Sequence, residues 1–263
     1  MPDPSSPRSH PRAPLEPGPL QAAAGATWTV TLLPTAGSTN EIAVERPTPR
    51  RVVVADHQIA GRGRLDRTWS TPAGSALTFS AVVRPELADK HWPLIPLATG
   101  LAVADAVRRL GGTPAVKWPN DVLIPPGKLA GILVERTSAP DQGPCAVIGI
   151  GINVDLTTAE LPVPTATSLA IAGIAVSRTE LLGLVLQALD RRLGEVVADP
   201  AAFVDAYRGD CDTVGREVEV FMPSGERVRG PATDIDEHGR LVVAVDGKAL
   251  AVSAGDVVHV RPT

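Results

Sequence analysis

Between His57 and Trp69 the chain gathers arginines around glycines: Gln58-Ile59-Ala60-Gly61-Arg62-Gly63-Arg64-Leu65-Asp66-Arg67-Thr68-Trp69. Glycine lets a backbone approach an anion closely, and each guanidinium offers a fork of donors matched to phosphate or carboxylate. Taken alone, the segment reads as a solvated basic turn or an RGG-like RNA contact as readily as a ligand loop. A second polar cluster, Lys117-Trp118-Pro119-Asn120-Asp121, leads through Gly127 into Lys128-Leu129-Ala130-Gly131-Ile132-Leu133. Lys128 stands where a polar loop meets an apolar strand. Its stem can pack while its ammonium reaches a pocket and stabilises charge growing on a phosphoryl or acyl oxygen. Asp121 is a candidate for Mg²⁺, shared with nucleotide phosphates; ordinary hairpin charges are the alternative. The hydroxyls and amide of Ser38-Thr39-Asn40 suit a neutral polar ligand, or plain helix capping. Gly149-Ile150-Gly151-Ile152-Asn153-Val154 is an uncharged strand whose glycines point to close approach of a ligand. Asn153 at its end could bond that ligand or cap the strand.

Secondary structure must position these groups. Residues 28–33, 52–55, 77–83, 115–118, 128–135 and 146–154 read as strands from their apolar, β-branched runs. Residues 94–110 place Leu97, Leu101, Ala104 and Val107 on one face and stop at Gly111-Gly112, which predicts a helix. Further helices are expected over 178–197 and 200–207. Beyond Cys211-Asp212-Thr213 the pattern changes to short alternating strands, 217–221, 227–235, 241–245 and 249–253, parted by turns such as Pro223-Ser224-Gly225 and Asp246-Gly247. That is the signature of a small β-barrel or meander.

Bulk properties narrow the function classes. Of 263 residues, 44% are hydrophobic and only 3% aromatic, so aliphatic residues must build the core. A net charge of -4 leaves no basic footprint for nucleic acid. No stretch approaches the roughly 20 apolar residues of a membrane span. Cys145 and Cys211 are too far apart in sequence to suggest a disulfide framework, and a reducing, cytoplasmic setting is expected. The start, with Pro2, Pro4, Pro7, Pro11, Pro14, Pro17 and Pro19, predicts a disordered lead-in over residues 1–26.

Taken together and in order, Ser38-Thr39-Asn40, the Gln58 to Arg64 loop, Lys117 to Asp121 with Lys128 to Leu133, and Gly149 to Asn153 resemble the motif set of biotin–protein ligases. The resemblance runs from about Trp28 to the C-terminus. It implies an α+β fold: a mixed β-sheet flanked by helices as the catalytic domain, residues 27–212, and a small SH3-like β-barrel, residues 213–263. It implies an enzyme that uses ATP and biotin with Mg²⁺, and a biotin carboxyl carrier domain of a biotin-dependent carboxylase as acceptor. Ser38, Thr39, Asn40, Gln58, Arg62, Gly63, Arg64, Lys128 and Gly131 would then bind biotin. Arg67, Trp69, Asn120 and Asn153 would bind nucleotide, Asp121 would meet the metal, and Lys128, Arg64 and Arg62 would carry catalysis.

Two departures stand out. Members usually have a further glycine in the loop where Asp66 stands here, which puts an acid between Arg64 and Arg67. The stretch before Trp28 is also too short for the DNA-binding winged helix of some members, so a ligase with no DNA partner is expected; the resemblance leaves room for a weak homodimer. Rival readings are a lipoate–protein ligase or octanoyl transferase of the same fold, and a non-catalytic biotin sensor or nucleic-acid binder.

Overall fold

The computed structural model describes residues 12–65, 67–139, 143–253 and 255–259. Helix α1 (Pro17–Ala24) opens it, then strand β1 (Thr29–Ala36), α2 (Thr39–Glu45), β2 (Arg51–Gln58) and a two-strand ribbon, β3 (Gly61–Arg62) with β4 (Thr68–Trp69). There follow β5 (Ala76–Val83), α3 (Leu94–Arg109), β6 (Ala115–Lys117), β7 (Asp121–Ile124), β8 (Gly127–Ala139), β9 (Gly143–Asn153), α4 (Arg178–Ala198) and α5 (Pro200–Asp210). The seven-stranded sheet has the order β1-β2-β5-β9-β8-β7-β6. β1 and β2 pair in parallel; the other pairs are antiparallel.

Period-two alternation divides the labour of this sheet. Leu77, Phe79, Ala81 and Val83 of β5, and Ile148, Ile150 and Ile152 of β9, enter the main core with α3 and α4. The intervening residues lie on the opposite face. There Val53, Val82, Cys145 and Val147 form a small second core with Ala43 of α2. Further along that face, Thr78, Ser80, Gly149 and Gly151 are left to build a polar hollow instead.

One irregularity aims a functional side chain. Val122 pairs with Ala130 but Leu123 with Lys128, so β8 carries an extra residue against β7. Leu129 and Ala130 therefore both enter the core, and Lys128 returns to the face of the hollow. Lys128 N donates to Thr165 O at 2.7 Å and Thr167 N donates to Lys128 O at 2.9 Å, which fixes the backbone on both sides.

The C-terminal part comprises β10 (Glu217–Phe221), β11 (Arg227–Ile235), β12 (Leu241–Val245), β13 (Lys248–Val252) and β14 (Asp256–His259), paired in the order β13-β12-β11-β10-β14. All these pairs are antiparallel, and β13 and β14 remain the two edges among the described residues. The expected four strands are present and a fifth is added, in keeping with an SH3-like domain; among the described residues β13 and β14 do not pair with each other. Asp212 N donates to Val116 O at 2.8 Å and Trp118 Nε1 to Gly239 O at 2.9 Å, joining this sheet to the β6–β7 hairpin.

The expected disordered lead-in is corrected for residues 12–26; residues 1–11 lie outside the described residues. Pro17 occupies the first turn of α1, where a missing N–H costs nothing, and Gly25 ends it at positive φ. Leu20 is fully buried. Arg12 donates to Asp155 O at 2.6 Å and Glu160 at 2.7 Å, and Leu15 N donates to Asp56 at 3.1 Å. Asp56 also pairs with buried Arg178 at 2.7 Å, so this segment is tied to the strand that leads into the arginine loop.

Candidate active site

A cavity of about 130 Å³ opens on the polar face of the sheet, where β2, β5, β8 and β9 converge with the start of α2. Its floor is uncharged. Ser38 holds the N-cap position of α2 but makes no capping bond through its side chain. Thr39 N and its hydroxyl both donate to Gln58 Oε1, at 2.9 and 3.1 Å. Ser80 Oγ lies 2.8 Å from Thr39 Oγ1 and donates to Asn40 Oδ1 at 2.5 Å. Asn40 Nδ2 donates to Leu133 O at 3.2 Å and to Glu135 at 2.7 Å. Ser38, Thr39, Asn40 and Ser80 are each at most 3% exposed. Buried polar atoms bonded to one another in this way are locked in orientation, because each lost bond would leave a desolvated group.

The glycines of β8 and β9 serve this floor. A methyl group at Gly149 would lie 2.3 Å from Asn40 Oδ1, and one at Gly151 2.6 Å from the Trp69 indole. The close approach expected at these glycines is thus made first by the protein's own side chains. Trp69 lies across Gly131 and Gly151, and its Nε1 is buried without a partner among the described residues. Donors in that state are uncommon and point to a missing acceptor.

The rim is cationic. Gly63 N donates to Arg67 O at 2.6 Å and closes the turn of the β3–β4 ribbon, and Leu65 there adopts a φ of 53°. Arg62, Gly63, Arg64 and Arg67 border the cavity, with Asn120, Asp121, Lys128 and Gly131 opposite. Each of three cations sits on a carboxylate: Arg62 on Glu135 at 3.4 Å, Lys128 on Asp121 at 2.6 Å, and Arg67 on Asp256 of β14. Burial pulls the pKa of Arg64 below its ordinary value, against the attraction of Asp121 and Asp256. Lys117, behind the rim, is likewise lowered by desolvation, again opposed by Asp121 and Asp256. Nearby, His259 is depressed to about 4, by burial first and by the charge of Lys117 second. The ring is therefore neutral at pH 7, and its Nε2 lies 3.1 Å from Thr213 Oγ1.

All but one of the residues given a binding, catalytic or metal role from the sequence border this cavity. The exception is Asn153, which is 3% exposed, donates to Thr167 O at 2.9 Å and leaves its Oδ1 unpartnered away from the cavity wall. Backbone bonds from Leu169 N to Asn153 O and from Ala170 N to Val154 O hold the strand end against this segment. Asn120 does border the cavity, but its Nδ2 is committed to Ile132 O at 2.8 Å. Asp66, the acid that the sequence sets between Arg64 and Arg67, lies outside the described residues. Ser80, Glu135 and Asp256 escaped the sequence reading. Ser80 had a local signal, a hydroxyl two residues from Thr78 in a strand otherwise apolar; the other two face the site only through tertiary contacts.

A neutral floor beside a cationic rim has the chemistry to take an uncharged polar group and an anionic one side by side. Comparisons with known proteins show the family. Residues 28–153 match the biotin/lipoate A/B protein ligase family and residues 213–260 the biotin protein ligase C-terminal domain. A biotin–[acetyl-CoA-carboxylase] ligase of Mycobacterium tuberculosis is 42% identical over 217 residues, 80% of this chain and 79% of the relative. The bifunctional ligase/repressor of Escherichia coli is 31% identical, over 87% of this chain and 73% of the relative. Among solved structures, a biotin protein ligase from Aquifex aeolicus in complex with biotin and ATP superposes with a TM-score of 0.76 at 26% identity, over 89% of this chain and 99% of that one. The chain belongs to the biotin protein ligase family and is an enzyme of that class.

Proposed function

We propose that the enzyme joins biotin to a lysine of a biotin carboxyl carrier domain in two steps within this one cavity. The ureido ring lies on the floor, met by Ser38, Thr39, Asn40 and Gln58, and the valeryl chain runs past Gly131 toward Lys128. A biotin carboxylate oxygen attacks the α-phosphorus of ATP; the α–β anhydride bond breaks and pyrophosphate leaves. The acceptor amine, having lost its proton to solvent, then attacks the acyl carbon, and the C–O bond to AMP breaks. The carboxylate is already ionised near neutral pH, so the first step needs positioning and charge stabilisation rather than a base. Lys128 supplies the stabilising charge at the α-phosphate, while Arg62 and Arg64 of the loop cover the adenylate. Arg67, Trp69 and Asn120 serve the nucleotide side. Asn153 serves it only if its bond to Thr167 opens.

Magnesium fits in a limited way. Among the described residues no three acidic, histidine or cysteine side chains stand together, so Asp121 would hold the ion as a single protein ligand alongside the nucleotide's phosphates. Bound there, the ion would neutralise phosphate charge. The carrier would be that of an acetyl-CoA-type carboxylase, as the name of the mycobacterial relative suggests. Two free, buried cysteines suit a cytoplasmic setting, and no helix among the described residues is long and apolar enough to cross a membrane.

The observation that carries this reading is the meeting of the uncharged, pre-bonded floor with the lysine-and-arginine rim in a single cavity. Exchange of labelled pyrophosphate into ATP tests it. Exchange should require biotin and should not be supported by lipoate. Exchange that is absent with biotin and Mg²⁺, or equal with lipoate, would overturn it.

A further inference from the structure

Among the described residues, Glu135 is the one carboxylate that touches both halves of the cavity. It stands on β8, two residues beyond Leu133, and is about a quarter exposed. One oxygen accepts from Asn40 Nδ2 at 2.7 Å; the other lies 3.4 Å from Arg62 Nη1 in the loop ribbon. Asn40 has little freedom besides. Ser80 donates to its Oδ1, Leu133 O takes its other contact at 3.2 Å, and Gly149 leaves no room for it to move toward β9. Among the described residues Arg62 has only a longer alternative, Glu41 at 3.9 Å, and it is half exposed.

We propose that Glu135 is a positioning residue for biotin activation: its carboxylate fixes the Asn40 amide at the floor and anchors Arg62 of the loop, so that pocket and lid share one support. This rests on the reading of the cavity as the biotin site. The chemistry gives the two contacts different weights. Asn40 is buried, and loss of its acceptor would leave a desolvated N–H free to turn, which disorders the floor. The Arg62 pair is half exposed and depends on charge, so it holds the loop weakly. An amide at position 135 would keep the first contact, since its oxygen still accepts from Asn40. It would lose the second, since a neutral amide does not hold a guanidinium.

Glu135→Gln and Glu135→Ala separate these roles in the full-length enzyme. The readouts are KM for biotin, KM for ATP and the rate at which pre-formed biotinyl-adenylate is lost. For Glu135→Gln, KM for biotin should stay within about twofold of wild type while adenylate loss speeds up about threefold, equivalent to a weak exposed pair. For Glu135→Ala, adenylate loss should speed up similarly and KM for biotin should also rise about tenfold, with KM for ATP little changed. Thermal unfolding of both variants identifies a general loss of structure. The proposal is overturned if Glu135→Ala leaves KM for biotin unchanged. It is equally overturned if Gln fails to restore that KM, or if KM for biotin and ATP rise together in both variants. Any of these with normal biotin-dependent exchange in the wild type would sink Glu135's role alone. Absent exchange in the wild type would instead sink the biotin reading.

Discussion

The floor and the rim line the same cavity but are built on opposite principles. On the floor, Thr39, Asn40, Gln58 and Ser80 are buried, neutral and bonded to each other, so their geometry exists before any ligand arrives. On the rim, Arg62, Arg67 and Lys128 are each partly exposed and each rest on a carboxylate. A buried neutral network discriminates, because a ligand that fails to match it leaves desolvated groups unpaired. Exposed ion pairs discriminate little but are readily exchanged, since each is worth under about 1 kcal/mol and a phosphate can take the carboxylate's place. Under the proposed function, the division assigns selection of biotin to the floor and activation to the rim.

Lys128→Ala should break the rim most severely. Adenylate formation should fall by about a hundredfold or more, corresponding to roughly 3 kcal/mol, in an enzyme that unfolds at a normal temperature. Lys128→Arg should restore little, because a planar fork does not reproduce a compact ammonium. Single-turnover formation of the adenylate checks this; near-normal rates in folded Lys128→Ala would move the role to Arg62 and Arg64.

Leu20→Ala provides the control that lies outside both regions. Its burial in α1 predicts a loss of about 3 kcal/mol of stability and several degrees of Tm, with kcat/KM per folded molecule unchanged. Calorimetry and active-site titration measure the two quantities. An unchanged Tm would restore the lead-in expected from its prolines.

Ser80→Ala addresses the floor. With one donor lost beneath Asn40, KM for biotin should rise about tenfold, while the adenylation rate at saturating biotin stays within about threefold. A fall in that rate equal to the rise in KM would erase the distinction between floor and rim.

The smallest effect is expected from Asp256→Asn. It removes the acid that competes with phosphate for Arg67, so KM for ATP should fall by about twofold to threefold while KM for biotin holds. An increase in KM for ATP would mean that Asp256 supports the site rather than competing within it.

The motif residues were legible because their chemistry is local: an arginine–glycine loop, a lysine at a loop–strand junction, and hydroxyls at a helix start all declare themselves in sequence. The longer helices and strands followed from periodicity for the same reason, as with α3, which ends at Arg109 just before Gly111-Gly112, whereas β7 (Asp121–Ile124) lies in a stretch that reads as a polar loop. What failed was long-range. Asp256 meets Arg67 only because β14 docks beside the ribbon, across 189 positions of chain. Glu135 reads as the polar end of an apolar strand until Asn40 is placed beside it. The bulge that sends both Leu129 and Ala130 inward is a property of pairing with β7, not of β8 alone. Helix α1 was hidden differently: prolines dominated the reading, although Pro17 at a helix start and the run Ala22-Ala23-Ala24 before Gly25 were a local helix signal.

A double-mutant cycle between Ser80→Ala and Lys128→Ala tests the separation of floor from rim most directly. Biotin affinity by calorimetry and the single-turnover rate of adenylation would be measured in the wild type, both single variants and the double variant. Ser80→Ala should account for most of the loss in affinity and Lys128→Ala for most of the loss in rate. The double variant should show both losses with a coupling below about 0.5 kcal/mol in each. A coupling of well over 1 kcal/mol, or a Ser80→Ala variant whose main defect is the rate, would contradict the account.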